Sequence, residues 1–237
     1  MERPNELRDR LQRMTGFTLR NEKLPQGPKA AQMNANATIE MGWGRIIFGH
    51  TFRSQKTLCA AMEQETAGKR DITFYLRDPH VLLAMGPDRF FLDPSHAYRL
   101  WLHEYQPRSP RSGAFTIRRL HSRKDAEEIN RLYATRQMVG CEPAFLLAHS
   151  ASRKRTYLVA ESRGDGRIVG TVTGVDHTEA FADPENGASL WCLAVDPQTQ
   201  APGVGEALVR HLAGHYLTRG RAYLDLSVLH DNSEAIA

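Results

Sequence analysis

One stretch constrains the fold more than any other: residues 189–217, SLWCLAVDPQTQAPGVGEALVRHLAGHYL. Leu190, Trp191, Cys192, Leu193 and Val195 make a near-continuous apolar run of strand length, closed by Asp196-Pro197. A short polar loop follows. Then Val204, Leu208, Leu212 and Tyr216 recur every four residues, so a helix presents one apolar face. Gly220 stands where that helix stops. The stretch therefore reads as a buried strand, a tight glycine-containing loop and an amphipathic helix.

The chemistry of such a turn is anion binding. A helix N-terminus offers unpaired backbone N–H groups and the positive end of the helix dipole. Glycines let the backbone approach a phosphate with no side chain in the way. Gln200-x-x-Gly203-x-Gly205 is a loop of that kind. An ordinary strand-to-helix connection carries glycines too, so the loop alone leaves both readings open.

The surroundings add to it. Leu193-x-Val195-x-Pro197 and Gln200-x-x-Gly203-x-Gly205, then a helix, then a strand over 223–229 with Asn232-x-x-Ala235, resemble the GCN5-related N-acetyltransferases (GNAT) from about Ala114 onward. The resemblance implies an α/β (α+β) fold with a mixed, mostly antiparallel sheet and flanking helices. It implies acetyl-CoA as cosubstrate, with the pyrophosphate on the backbone of Gln200, Ala201, Gly203, Val204, Gly205 and Glu206. Pro202 lacks an N–H and removes one donor from that cradle. The pantetheine arm would run beside Leu193, Ala194 and Val195, where a bulge parts two strands in this family. A backbone N–H near Leu193 would polarise the thioester oxygen, and Asn232 would contact the cosubstrate. The usual carboxylate base is absent from the strand, so His177 and Glu185 stand as catalytic candidates, with Asp176 and Asp183 beside them; a solvated acidic loop over 178–187 is the alternative for each. The chain stops at Ala237, inside the family's second motif and before its usual tyrosine acid, so the expectation is either a piece of a longer protein or a fold completed in another way.

The rest of the sequence bounds this reading. Residues 1–36 form a polar lead-in, expected to be partly disordered and too charged at the start for a signal peptide. Residues 37–105 read as a small α/β domain of unknown role, with strands over 38–41, 45–51 and 71–77 and a helix over 54–65. Gln106 to Gly113, QPRSPRSG, is the expected linker. Residues 114–237 form the acetyltransferase domain, C-terminally incomplete. In it a strand is expected over 115–120, helices over 122–137 and 143–149, and a hairpin of 156–162 with 167–176. Three widely spaced cysteines, Cys59, Cys141 and Cys192, suit a reduced, cytoplasmic protein. His80, Asp93, His96 and His103 fit no zinc spacing, and His211-x-x-x-His215 lacks the glutamate of a metalloprotease helix, so no metal is expected. Arg108, Arg111, Arg118, Arg119, Arg123 and Lys124 cluster without interleaved aromatics, which argues against nucleic acid. No apolar run reaches the length of a membrane span.

A further resemblance covers nearly the whole chain. GWGRIIFGHTF, RDITFYLRDPHVLLAMGPDRFFLDPSHAYRLWL and the C-terminal half look like the N-terminal part of the bacterial N-acetylglutaminylglutamine synthetase family, in which an acetyltransferase is fused to an ATP-grasp ligase. That resemblance implies acetylation of the α-amine of glutamine or a glutamine dipeptide in osmoprotectant synthesis, and a C-terminal ATP-grasp ligase region outside this chain. An acetyltransferase for another amine or protein acceptor, and a non-catalytic acyl-CoA-binding module, remain open.

Overall fold

The computed structural model describes residues 33–76, 78–107 and 113–236. Most of the expected lead-in and the middle of the expected linker lie outside the described residues. Thr38–Glu40 (β1) and Arg45–Phe48 (β2) form an antiparallel hairpin whose turn is Gly42-Trp43-Gly44. Gln55–Met62 (α1) follows, started by the Ser54 hydroxyl accepting from the Thr57 amide. Ile72–Phe74 (β3) then adds to β2 in parallel. Pro79–Met85 (α2) follows as a short helix, with proline in its first turn. Ser95–Trp101 (β4) comes next.

The C-terminal part runs Phe115–Arg119 (β5), Arg123–Thr135 (α3), Pro143–Ala148 (α4), Arg155–Ser162 (β6), Ile168–Asp176 (β7), His177–Phe181 (α5), Gly187–Val195 (β8), Val204–Thr218 (α6), Tyr223–Leu229 (β9) and Ser233–Ile236 (α7). Six strands pair in the order β4-β9-β8-β7-β6-β5. Every neighbouring pair is antiparallel except β8 with β9. The fold is thus a mixed α/β one, with antiparallel pairing dominant and helices on both faces. β4 lies before the expected linker, yet it pairs along its whole length with β9. The small sheet and the large one also share a core: Ile39, Met41, Trp43 and Phe48 pack with Ile129, Leu132, Tyr133 and Trp191. Residues 37–105 thus bury one apolar face on the C-terminal half, and the other side of the small sheet packs a core of its own, with Ile47, Leu58, Cys59 and Leu82.

α6 covers the opposite face. Leu208, Leu212 and Tyr216 are fully buried against Leu158, Val172 and Leu224. Each such side chain contributes about 2 kcal/mol by burial, so packing rather than helix propensity fixes α6. Gly170 and Gly174 on β7 make the close approach possible. A Cβ at Gly170 would stand 2.6 Å from Val204 Cγ1, and one at Gly174 2.5 Å from the Tyr216 hydroxyl.

One local expectation is corrected. Residues 178–187 are not wholly a solvated loop, because α5 starts there: the Asp176 carboxylate accepts from the Glu179 amide and caps it. Phe181 then fills the core, and Asp183 is buried at 5% exposure while accepting from the Glu185 and Gly187 amides. The expected basic cluster is partly neutralised. Arg118 pairs with Asp125 and Glu161, and Arg123 with Glu127.

Candidate active site

The site is an opening in the large sheet. β8 and β9 pair over three rungs only, from Gly187 with Tyr223 to Ser189 with Asp225. Beyond them β8 follows β7 to Val195, while β9 follows β4 to Leu229. The two strands therefore part after Ser189. A bulge sits in the diverging part of β8. Thr171 and Thr173, two apart on β7, face Ala194 and Trp191, three apart on β8. Cys192 is in the left-handed region (φ 51) and supplies the extra residue. The Asp196 amide donates to the Val169 carbonyl of β7 at 2.9 Å. Strand alternation then turns the backbone of Val195, and of Leu193 two residues earlier, away from β7 toward the opening. Leu193 is 36% exposed there, and Ala194 is buried.

The loop after β8 is held from below. Asp196, 5% exposed, accepts from the Gln198 amide at 2.9 Å and from Arg131 at 2.8 Å. Burial pushes its carboxyl up, but those donors outweigh it and hold it below the usual carboxylate range. Gln200, Ala201 and Pro202 lead to Gly203, which takes a left-handed conformation (φ 75) as the first residue before α6. No side chain caps this helix. Val204 is buried and anchors the first turn. Gly205 stands where a Cβ would meet Val195 Cγ2 at 3.5 Å, so the turn lies against the end of β8. Glu206 is paired with Arg210 at 2.8 Å. An uncapped helix start, with glycine in its left-handed entry and a parted sheet beside it, fits a phosphate-bearing ligand. Asn232 is exposed and does a local job as well: its side-chain oxygen accepts from the Ala235 amide at the start of α7.

Beneath the last paired rung lies a buried polar chain. Trp191 Nε1–H donates to Ser189 Oγ at 2.7 Å, and Ser189 Oγ lies 2.8 Å from His177 Nε2. The indole is a donor only, so the Ser189 proton turns to His177 Nε2, and His177 carries its own proton on Nδ1. That nitrogen faces the Tyr223 hydroxyl at 3.3 Å, which donates to Asp183 at 2.7 Å. Asp183 is also 3.7 Å from His177 Nδ1. The order serine, imidazole, carboxylate suits proton uptake, because a carboxylate near the ring stabilises its charged form. His177 is completely buried, against Phe48, Tyr75 and Phe181.

Glu185 belongs to the other wall. Its carboxylate lies 3.6 Å from Arg99, which holds the buried Asp225 through two hydrogen bonds of 2.7 Å and stacks on Tyr223 at 3.8 Å. Tyr75 from the small sheet donates to Asp225 at 2.5 Å. The structure thus brings His177 to the foot of the opening and leaves Glu185 half-exposed at its edge as an ion partner. Ser189, Asp183, Tyr223 and Asp225 complete the foot of the opening. Sequence gave one sign of Ser189, a lone hydroxyl at the head of an otherwise apolar strand. Cys192 is no nucleophile: burial pushes its thiol up to about 12. Among the described residues no cluster of metal-ligating side chains forms. No helix among them is long and apolar enough to cross a membrane.

Residues 121–237 match the model of the Acetyltransferase (GNAT) family. Among solved structures, the chain is similar to an aminoglycoside acetyltransferase from an uncultured soil metagenomic sample, at 21% identity over 52% of this chain and 82% of that one, with a TM-score of 0.45. It is also similar to glucosamine-6-phosphate N-acetyltransferase from Arabidopsis thaliana (19% identity, 52% and 87% covered, TM-score 0.43). A third is ribosomal-protein-alanine N-acetyltransferase from Brucella melitensis biovar Abortus 2308 (23% identity, 52% and 86% covered, TM-score 0.40). No curated protein matches the chain.

Proposed function

Residues 121–237 belong to the acetyltransferase (GNAT) family, and from that membership we propose that this N-acetyltransferase acetylates the α-amine of glutamine or a glutamine dipeptide, in osmoprotectant synthesis. The observation that carries the transferase chemistry is the opening between β8 and β9, flanked by the bulge at Cys192 and the uncapped start of α6. The acceptor assignment rests on the sequence resemblance of residues 42–52 and 70–102 to the N-acetylglutaminylglutamine synthetase family.

Acetyl-CoA supplies an activated acyl thioester. Backbone groups from Gln200, Ala201, Gly203, Val204, Gly205 and Glu206 would hold its pyrophosphate, and Leu193, Ala194 and Val195 its pantetheine arm. Asn232 would border it from α7. The Leu193 amide would donate to the carbonyl oxygen as negative charge develops there, which lowers the barrier because the donor is fixed beforehand. Attack by the neutral amine forms a C–N bond and breaks the C–S bond, whose electron pair stays on sulfur. One proton must leave the amine nitrogen. Ser189 would take it through water in the opening and hand its own to His177 Nε2, with Asp183 stabilising the imidazolium. Glu185, tied to Arg99, would shape the rim.

The test is release of coenzyme A thiol from acetyl-CoA with a panel of acceptors: glutamine, glutaminylglutamine, glutamate, lysine and putrescine. Release that depends on the two glutamine compounds, with the acetyl group found on the α-nitrogen by mass spectrometry, is the expected result. Release with lysine or putrescine instead would move the acceptor to another class. Binding of acetyl-CoA with no release for any amine would leave an acyl-CoA-binding module.

A further inference from the structure

Two arginines near the end of α3 reach the exit of β8. Arg131 holds the loop: its guanidinium donates to the Asp196 carboxylate at 2.8 Å and to the Ile168 carbonyl at 2.8 Å, and it pairs with Glu128 at 3.1 Å. Arg136, the residue that ends α3, does something else. It is exposed, and its Nε–H donates to the Val195 main-chain carbonyl at 3.0 Å. The direction of that carbonyl decides where the guanidinium lies. In a trans peptide the N–H of one residue and the C=O of the residue before it point opposite ways. The Asp196 amide donates to Val169 of β7 at 2.9 Å, so the Val195 carbonyl points away from β7. On that side β9 has already left, since its last rung with β8 joins Ser189 to Asp225. The Arg136 guanidinium therefore stands in the parted part of the sheet.

It also stands beside the start of α6. The first turn of that helix leans on Val195, because a Cβ at Gly205 would meet Val195 Cγ2 at 3.5 Å. The carbonyl that carries the guanidinium and the amides at the head of α6 thus belong to residues in contact. A guanidinium keeps its charge at any working pH, and its planar fork matches the oxygens of a phosphate. The bond from Nε sets the plane of that fork, whose other N–H donors are on the Nη groups. A carbonyl oxygen has two lone pairs, so Val195 can still accept from an amide in a ligand's arm. The loop before α6 has one main-chain donor fewer, because Pro202 carries no N–H, and a side-chain donor here adds to what the main chain supplies.

We propose that Arg136 is a cosubstrate-binding residue: its guanidinium, seated on the Val195 carbonyl in the parted sheet, pairs with the phosphates of acetyl-CoA as they settle against the first turn of α6. The proposal rests on the acetyl-CoA reading above, and it adds a cation from α3 to a cradle otherwise made of main chain. A side chain that only tied α3 to β8 would make the same bond to the carbonyl. Arg136→Gln separates the two roles, because its carboxamide can still donate to that carbonyl but carries no charge. The test is calorimetric titration of acetyl-CoA into the wild-type chain and Arg136→Gln, at low and at high salt, with S-acetylpantetheine, which has the arm and the thioester but no phosphate, as the comparison ligand. Affinity for acetyl-CoA should fall at least tenfold in Arg136→Gln at low salt. The gap should narrow as salt rises, since screening weakens the pair in the wild type. S-acetylpantetheine should bind both chains alike. Equal or tighter binding of acetyl-CoA by Arg136→Gln would overturn the proposal, as would a loss that ignores salt or that S-acetylpantetheine shares in full. A folded wild type that binds no acetyl-CoA would overturn the cosubstrate reading itself, and the role of Arg136 with it.

Discussion

Ser189 is the residue on which the proposed chemistry turns. It accepts from Trp191 and lies within hydrogen-bond reach of His177, so removal of its hydroxyl cuts the path to the imidazole. Ser189→Ala should lower kcat by about 100-fold with the KM for acetyl-CoA unchanged, the scale of a lost proton-transfer group. The acid limb of the kcat–pH profile should go with it, and Ser189→Thr should restore much of the rate. Unchanged kcat in Ser189→Ala would remove the relay. His177 was legible as a candidate, but its setting was not. The sequence placed it at the head of a polar loop, while Asp176-x-x-Glu179 is a capping signal that turns that loop into a helix and buries the ring. Its partners lie 12 and 46 residues away, and only the strand pairing brings them together.

At the scale of elements, α3 shows how one capping box governs a pH dependence. Ser122 and Asp125 cap each other's amides, and Asp125 receives two hydrogen bonds from Arg118 as well. Burial works to raise the Asp125 carboxyl, but the Arg118 guanidinium and the His121 amide outweigh it and hold it far below the usual range. A folded pKa below the unfolded value of about 3.9 gives stability that is present above that pH and lost as the pH falls below it. Asp125→Asn should therefore cost about 3 kcal/mol at pH 7. The gap to wild type, followed by urea unfolding, should narrow steadily below about pH 4. A gap independent of pH would remove the ion pair from the account. The box was legible because Ser122 precedes a helical run and Asp125 follows three residues later. The strand, loop and helix of residues 189–217 were legible for the same reason: periodicity and glycine placement are local signals. The bulge was not read from the residues themselves, since nothing in LWCLAV marks Cys192 for a left-handed conformation.

For the whole molecule, the least legible feature was the join between the two sheets. Propensity gave β1, β2 and β3 near their places, yet their apolar faces carry no mark of what covers them. The shared core around Trp43, Phe48 and Trp191, the Tyr75–Asp225 hydrogen bond and the β4–β9 pairing all join the N-terminal part to residues more than 80 positions further on. That join sets the N-terminal sheet against the foot of the opening, where Tyr75 meets Asp225. The account's central claim is that this opening, with the start of α6, holds acetyl-CoA. The direct measurement is calorimetric titration of acetyl-CoA into the wild-type chain and into Gly203→Glu, with Gly203→Asn as a control for the left-handed backbone. The account predicts saturable binding in wild type, near-normal binding in Gly203→Asn and affinity weakened at least tenfold in Gly203→Glu. Equal affinity in all three folded chains, or none in wild type, would contradict it.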